Sequence, residues 1–319
     1  MKEIIITKNE AGQRLDKLLL KYLNTAPKSF IYKMLRKKNI KLNKTKATGN
    51  ELLVEGDVVH LFLADDTVDN FRENKSIATE SLPDYDLDII YEDEDVLFVN
   101  KPVGMLSQKA DKTDVSINEH IVNYCANKYD NDLFVPSVCN RLDRNTSGLI
   151  LAGISLAGSQ ELSKLLKDRT LDKYYVTIVK GVITESKLIE GYLHKDEVTN
   201  KVSFSTTIRE GYMPIQTMYE PIEHNSNYTY LRVKLITGKA HQIRAHLASI
   251  GHPIIGDNKY GNVEDNRYFS RTYKLKYQLL HAQSIVFPKM TGKLEHLSNK
   301  SFTADLPSQF TRVYGDLFR

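Results

Sequence analysis

Apolar positions along the chain change period several times, and each change marks an element. Leu15, Leu18, Leu19, Tyr22 and Leu23 recur at helical spacing and predict a first helix. Pro27 and the capping candidate Ser29 open a second, with Phe30, Ile31, Met34 and Leu35 on one face and Lys33, Arg36 and Lys37 elsewhere. The stretches "IKLN" and "VEGDVVHLFL" read as short strands with a turn at Gly56 and Asp57. Residues 64–85, "ADDTVDNFRENKSIATESLPDY", keep no period and predict a linker. Beyond them "DLDIIYEDEDVLFVNKPVGM" predicts a hairpin ending at Lys101 and Pro102. Further strands are expected at "GLILAG", "KYYVTIVKG", "YTYLRVKLITG" and "AQSIVF", and helices at 155–168 and 241–250. Strands outnumber helices without strict alternation, which argues for an α+β class with a largely antiparallel sheet. The expected organisation is a small α+β unit over 1–63, a linker over 64–85 and a large domain over 86–319.

Charge sharpens this division. The 319 residues carry a net +4, but residues 1–63 hold 13 Lys and Arg against 6 Asp and Glu, a surplus of +7. Residues 64–100 hold 2 against 12, so the linker region is strongly acidic, and the remainder is basic again at 29 against 22. Lys33, Arg36, Lys37, Lys38 and Lys41 concentrate the first surplus at one place, which suits a polyanion, although such a run alone is more often a solvated face. The start lacks a basic and apolar leader, and no run of about 18 apolar residues occurs, so a cytosolic chain is expected. Two cysteines, Cys125 and Cys139, form no CxxC pair, and neither a disulfide framework nor a metal site is expected.

Three positions stand out chemically. In "NRLDRNTSGLILAG" a single carboxylate, Asp143, lies between Arg141 and Arg144 on a turn-forming run just before an apolar strand. Loops held by a rigid sheet often carry catalysis, yet an exposed acid–arginine pair stabilising by about 0 to 1 kcal/mol fits the same pattern. In "HQIRAHLASIGHP", Ile243, Leu247 and Ile250 make an apolar stripe and Arg244 falls off it, about one turn from His241. His241 and His246 are five apart and do not share a helix face as a zinc pair would. In "KYYVTIVKG", Tyr174 shares a strand face with Val176 and Ile178, and Tyr175 shares the other with Thr177, so only one tyrosine can face a given pocket. Lys101, at its strand end, is a candidate for a pocket or phosphate contact.

These segments carry a resemblance. "RLDRNTSGLIL" resembles the catalytic motif of the RluA family of pseudouridine synthases, and "YEDEDVLFVNKPVGM", "KYYVTIVKG", "GKAHQIRAHLASIGHPIIGDNKYG", "HAQSIVFP" and "ADLP" follow the family's order. The likeness runs from about residue 12 to 310. Over 12–63, "QRLDKLL", "PKSFIYKMLRKKNIKLN" and "EGD" resemble the S4 RNA-binding domain, and this front end is nearest the RluC type. The resemblance implies a pseudouridine synthase fold, no cofactor, and isomerisation of uridine in RNA, expected to be large-subunit ribosomal RNA; a tRNA target is the alternative. It implies Asp143 as the essential aspartate, either attacking C1′ or removing a C2′ proton. Tyr175 would stack on uracil and take the C5 proton, and Arg244 would pair with Asp143 and help fill the gap left by the flipped base. Lys33, Arg36, Lys37, Lys38, Lys41, Lys101, Arg141 and His241 would contact RNA. A monomer is expected.

The chain departs from the family pattern at Asn140, where histidine is common, at "GKAH", where "GRTH" is usual, and at "PKM", where "HP" is usual. Lys239 keeps charge but lacks an arginine's planar fork, which would loosen a phosphate contact there. Two other classes fit less well. A non-catalytic RNA-binding protein would have no use for Asp143, Tyr175 and Arg244 together, and a hydrolytic glycosidase usually needs a second carboxylate about 5 to 10 Å away.

Overall fold

The computed structural model describes residues 2–72, 85–111, 113–128, 134–196 and 202–319. In chain order the first unit contains β1 (Lys2–Ile5), α1 (Leu15–Tyr22), α2 (Lys28–Arg36), β2 (Ile40–Leu42), β3 (Thr45–Lys46), β4 (Val58–Leu61) and α3 (Asp65–Phe71). Its four strands form one sheet in the order β1-β4-β2-β3, and Leu15, Leu18 and Leu19 of α1 pack with Ile31 and Leu35 of α2 over Val59 and Leu61. The stripe read from the sequence is therefore the buried one. Two details differ. Helix α2 starts one residue before Ser29, with Pro27 at its N-cap and no side-chain cap, because proline's fixed φ already suits a helix entry. Residues 65–71, expected to be linker, form α3, whose Val68 is fully buried in this core. Its acidic first turn, Asp65 and Asp66, suits a helix N-terminus and hid the short apolar contact. Most of the remaining expected linker lies outside the described residues.

The rest of the chain supplies β5 (Ile89–Glu92), β6 (Val96–Lys101), α4 (Ile117–Lys128), β7 (Ser137–Val138), β8 (Ser147–Gly153), α5 (Leu156–Asp168), β9 (Asp172–Lys180), β10 (Lys187–Lys195), β11 (Val202–Ser205), β12 (Met213–His224), β13 (Tyr228–Leu235), α6 (Gln242–Ser249), α7 (Val263–Tyr273), β14 (Leu280–Val286), β15 (Ser301–Thr303) and α8 (Ser308–Phe318). Eleven strands form one sheet with the path β11-β10-β12-β13-β9-β14-β8-β6-β5, β15 flanking β14 and β7 flanking β8. Every pairing is antiparallel except β8 with β14. The class is thus α+β with a mixed, largely antiparallel sheet.

Both faces of the sheet's middle are covered, which explains why its strands read as continuous apolar runs. Leu97, Val99, Ile150 and Ala152 face a core with Ile121 of α4 and Leu247 of α6. Their neighbours Val96, Phe98, Leu149 and Leu151 face the opposite core with Leu162 of α5. Val176 and Ile178 of β9 meet Phe269 of α7 and Phe310 of α8 on that second side. Helix α5 is capped by Ser155, whose hydroxyl accepts from Gly158 N.

The parallel pairing is tight at one point. Gly148 has φ +111°, and a Cβ there would lie 2.2 Å from the Ala282 carbonyl oxygen. Only glycine fits, so β8 begins against β14 with its preceding loop held over the middle of the sheet.

Candidate active site

Three elements meet above the centre of the sheet: the loop before β8, strand β9 and the N-terminal turn of α6. The first carries Asp143. Its loop is fastened by side chains that reach its main chain. The Ser107 hydroxyl accepts from Leu142 N at 2.9 Å and donates to Leu142 O at 2.9 Å, and Thr146 N donates to Asp143 O at 3.0 Å. Asn140, at the position where the family pattern differs, clasps the following strand. It donates to Leu149 O at 3.1 Å and accepts from Leu151 N at 2.7 Å. Its function here is structural and is met by an amide.

Lys101 fastens the same loop from below. It is 0% exposed, and its Nζ donates to the carbonyl oxygens of Pro102 (2.9 Å), Met105 (2.8 Å) and Arg144 (3.1 Å). A side chain so enclosed cannot touch a phosphate, so the expectation of an RNA contact at Lys101 is corrected. Burial pushes its ammonium down to about 7, against a partial restoring pull from Asp143. A desolvated ammonium keeps its charge cheaply only when its protons are bonded, as three are here.

Asp143 and Arg244 are brought together. Arg244 Nη1 donates to Asp143 Oδ2 at 2.8 Å, while its Nε and Nη2 donate to Asp257 Oδ2 (2.7 Å) and Oδ1 (2.9 Å). Arg244 is 8% exposed, and the Asp257 side chain is wholly buried. The guanidinium is therefore a fixed post between two carboxylates. It cannot swing out to occupy a gap in an RNA stack, which corrects that part of the expectation for Arg244. The reason is Asp257, whose forked pairing uses two of the guanidinium nitrogens. Burial drives the Asp257 carboxyl up, but the Arg244 bonds and charge and the N–H groups of Lys259 and Tyr260 outweigh it and hold it below the usual range. Burial opposes the Arg244 charge, and the two carboxylates overcome it and raise its pKa.

Asp143 keeps 25% of its side chain exposed, and its Oδ1 has no protein partner among the described residues. One oxygen is anchored and one is open.

His241 precedes α6 in a left-handed conformation, φ 54°, rarely taken by a non-glycine residue. Gln242 holds that turn by accepting from Thr237 Oγ1 (2.8 Å) and Lys239 N (3.1 Å) and donating to Gln216 O (2.9 Å). His241 Nδ1 lies 3.0 Å from the Tyr260 hydroxyl and Nε2 3.9 Å from Asp143 Oδ2. Burial lowers its pKa, against the pull of Asp143. The Tyr260 ring also covers the Arg244 guanidinium at 5.3 Å.

Tyr175 opens onto the same cleft from β9 and is 8% exposed, and Tyr174 lies on the other face beneath the Arg232 guanidinium at 4.1 Å. Burial, and then the charge of Asp143, push the Tyr175 phenol up, so it stands as a neutral hydroxyl. The cleft has a volume of about 820 Å³. Eight lysines and arginines line it, among them Arg141, Arg144 and Lys239, and Asp143 is the sole carboxylate among the described lining residues. Arg141 is exposed at its rim.

Sequence reasoning did not single out Asp257, Tyr260 or Gln242. Asp257 lies in "IIGDNKYG", a glycine-flanked turn that on pattern alone reads as solvent-facing; only the folded chain shows its carboxylate turned inward to Arg244. In the first unit, Lys33, Arg36, Lys37 and Lys38 are exposed at the end of α2 and in the turn after it. Lys41 is half-buried, its ammonium 5.2 Å from the centre of the Phe62 ring.

Comparison with known proteins gives a consistent picture. The profile of the RNA pseudouridylate synthase family matches residues 95–249. A protein of Rickettsia bellii named ribosomal large subunit pseudouridine synthase C is 31% identical over 321 residues, covering 97% of this chain and all of that one. An RNA pseudouridine synthase of Mycoplasma genitalium, itself described as uncharacterised, is 30% identical over 311 residues, covering 94% of this chain and 93% of its own. Among solved structures, human RNA pseudouridylate synthase domain containing 4 superimposes with a TM-score of 0.58 at 19% identity, over 71% of this chain and 91% of that one.

Proposed function

The chain belongs to the RluA family of RNA pseudouridine synthases, and from that premise we propose that it isomerises uridines of large-subunit ribosomal RNA with Asp143 as the reacting carboxylate. It is an isomerase. Support for the target comes from relatives named for the large ribosomal subunit. Support for Asp143 comes from one observation above others: it is the sole acid among the described residues of a cationic cleft, with one oxygen held by a buried arginine and the other open.

The reaction breaks the N1–C1′ bond and forms C5–C1′; C5 loses a proton and N1 gains one, so no oxidant or cofactor enters the balance. Attack of Asp143 on C1′ and removal of a C2′ proton by Asp143 both require an ionised carboxylate, and the Arg244 guanidinium favours that form. Tyr175 offers its ring as a stacking surface. To take the C5 proton it must pass its own proton on in the same step, because its resting form is the phenol. The uridine reaches this depth only when turned out of its helix, which costs a few kcal/mol. Cations around the cleft, with Arg141 on its rim, offset that cost through phosphate contacts. The basic end of α2, in the segment that resembles an S4 domain, adds a second place of contact.

The test is incubation of the purified protein with deproteinised large-subunit rRNA and, separately, with tRNA, each carrying tritium at uridine C5. Release of tritium by the wild type and none by Asp143→Asn supports the proposal. Release by both refutes the role of Asp143, and release from tRNA alone refutes the target.

A further inference from the structure

Lys173 stands two residues before Tyr175 on β9, so its side chain leaves the strand on the face that opens to the cleft. It is half-buried, and no hydrogen bond or ion pair reaches its Nζ among the described residues. The charge felt most strongly there is that of another cation, Arg169, and burial lowers the Lys173 pKa with Arg169 adding to the effect. Arg169 follows α5 in a left-handed conformation, φ 57°, which ends the helix and brings it to the cleft wall. It too has no ion-pair partner among the described residues. Beside Lys173 on the cleft wall lies Gly238. A Cβ built there would come within 3.8 Å of the Lys173 Nζ, so the absence of a side chain leaves the ammonium uncovered.

A half-buried ammonium whose nearest felt charge is the exposed guanidinium of Arg169 is costly in the free protein, and an anionic ligand between them removes that cost. The kind of anion follows from position. Lys173 lies two residues from Tyr175, about 7 Å along β9, and Arg169 lies beyond it at the end of α5. The pair is thus offset along the cleft wall from the Tyr175 ring.

We propose that Lys173, Arg169 and the open space over Gly238 form a seat for one backbone phosphate of the RNA beside the flipped uridine, a contact that positions the strand without reading its bases. This rests on the RNA synthase reading above. A phosphate here holds the strand along one wall of the cleft while Asp143 acts further in.

The experiment measures binding of fluorescein-labelled nine-residue oligouridylate and oligoadenylate to the full chain over a salt series, for wild type, Lys173→Met, Lys173→Arg and Gly238→Gln. The proposal expects Lys173→Met to weaken both oligomers about tenfold and to lower the slope of log Kd against log salt by about 0.7, one single-strand phosphate contact. It expects Lys173→Arg to recover most of the loss. Gly238→Gln leaves the strand and the ammonium in place and covers the seat, so it also weakens both oligomers, which keeps the test valid should Lys173→Met fold poorly. Weakening confined to oligouridylate with an unchanged slope overturns the proposal in favour of a base contact. Unchanged binding in Lys173→Met and Gly238→Gln overturns it outright. A wild type that binds neither oligomer sinks the RNA reading itself, an outcome distinct from failure of the phosphate seat alone.

Discussion

Asp257 touches no substrate in this account, yet its removal is expected to disable the enzyme. Its two oxygens accept four bonds, from Arg244 Nε and Nη2 and from the N–H groups of Lys259 and Tyr260, in a fully buried position. Truncation to alanine leaves a buried guanidinium with only Asp143 as counter-charge, and breaking such a pair from one side costs about 3 to 5 kcal/mol. The substitution Asp257→Asn preserves the shape of the side chain and presents one acceptor where two are needed, so it is expected to lose less. Freed of its fork, Arg244 no longer fixes Asp143 Oδ2, and a shift of about 1 Å at a reacting group costs on the order of a hundredfold in rate. Urea unfolding followed by circular dichroism, beside tritium release from labelled rRNA, measures both effects. The pH dependence gives a further check. The folded Asp257 carboxyl is depressed, so its contribution is complete above the unfolded value of about 3.9 and disappears as pH falls through the folded value. The stability gap between wild type and Asp257→Asn should therefore stay level from pH 8 to about 5 and close below about 4. Wild-type stability and turnover in Asp257→Asn would refute the reasoning.

Three further outcomes are expected. Tyr175→Phe keeps the ring and loses the hydroxyl, so RNA affinity should stay within about threefold while turnover falls by about 10² to 10⁴ if the hydroxyl moves a proton; single-turnover kinetics separate the two. Lys101→Met takes the Nζ donor from the carbonyls of Pro102 and Met105 and leaves Arg144 O only its bond from Gly104 N, a loss of about 1 to 3 kcal/mol for each carbonyl left unpaired, and should lower the urea midpoint without changing the salt dependence of RNA binding. Replacing Lys33, Arg36, Lys37 and Lys38 together by alanine should flatten the salt dependence of RNA binding and leave the unfolding midpoint unmoved, because all four are exposed; an unchanged slope in a salt titration counts against the α2 contact.

What could be read from the sequence follows from how local each signal is. The leucine periodicity of α1 and the alternation in β9 depend on neighbours a few residues apart and placed their elements closely. The arginine-flanked Asp143 was visible because its loop and strand adjoin in sequence. Partnership across 101 positions was not written in any period: Arg244 reaches Asp143 only through the fold, and residue types alone could not show Asp257 buried behind it. Lys101 misled because a lysine at a strand end usually projects into solvent, and here three carbonyls draw it inside. Helix α3 was missed because one buried valine in an acidic heptad leaves almost no hydrophobic pattern.

The central claim is that Asp143 converts uridine to pseudouridine in large-subunit rRNA. Its most direct test is site-resolved pseudouridine mapping of total RNA from cells lacking the gene, complemented with either the intact gene or Asp143→Asn. The account predicts that particular large-subunit uridines lose modification and regain it only with the intact gene. Unchanged rRNA sites, or full restoration by Asp143→Asn, would contradict it.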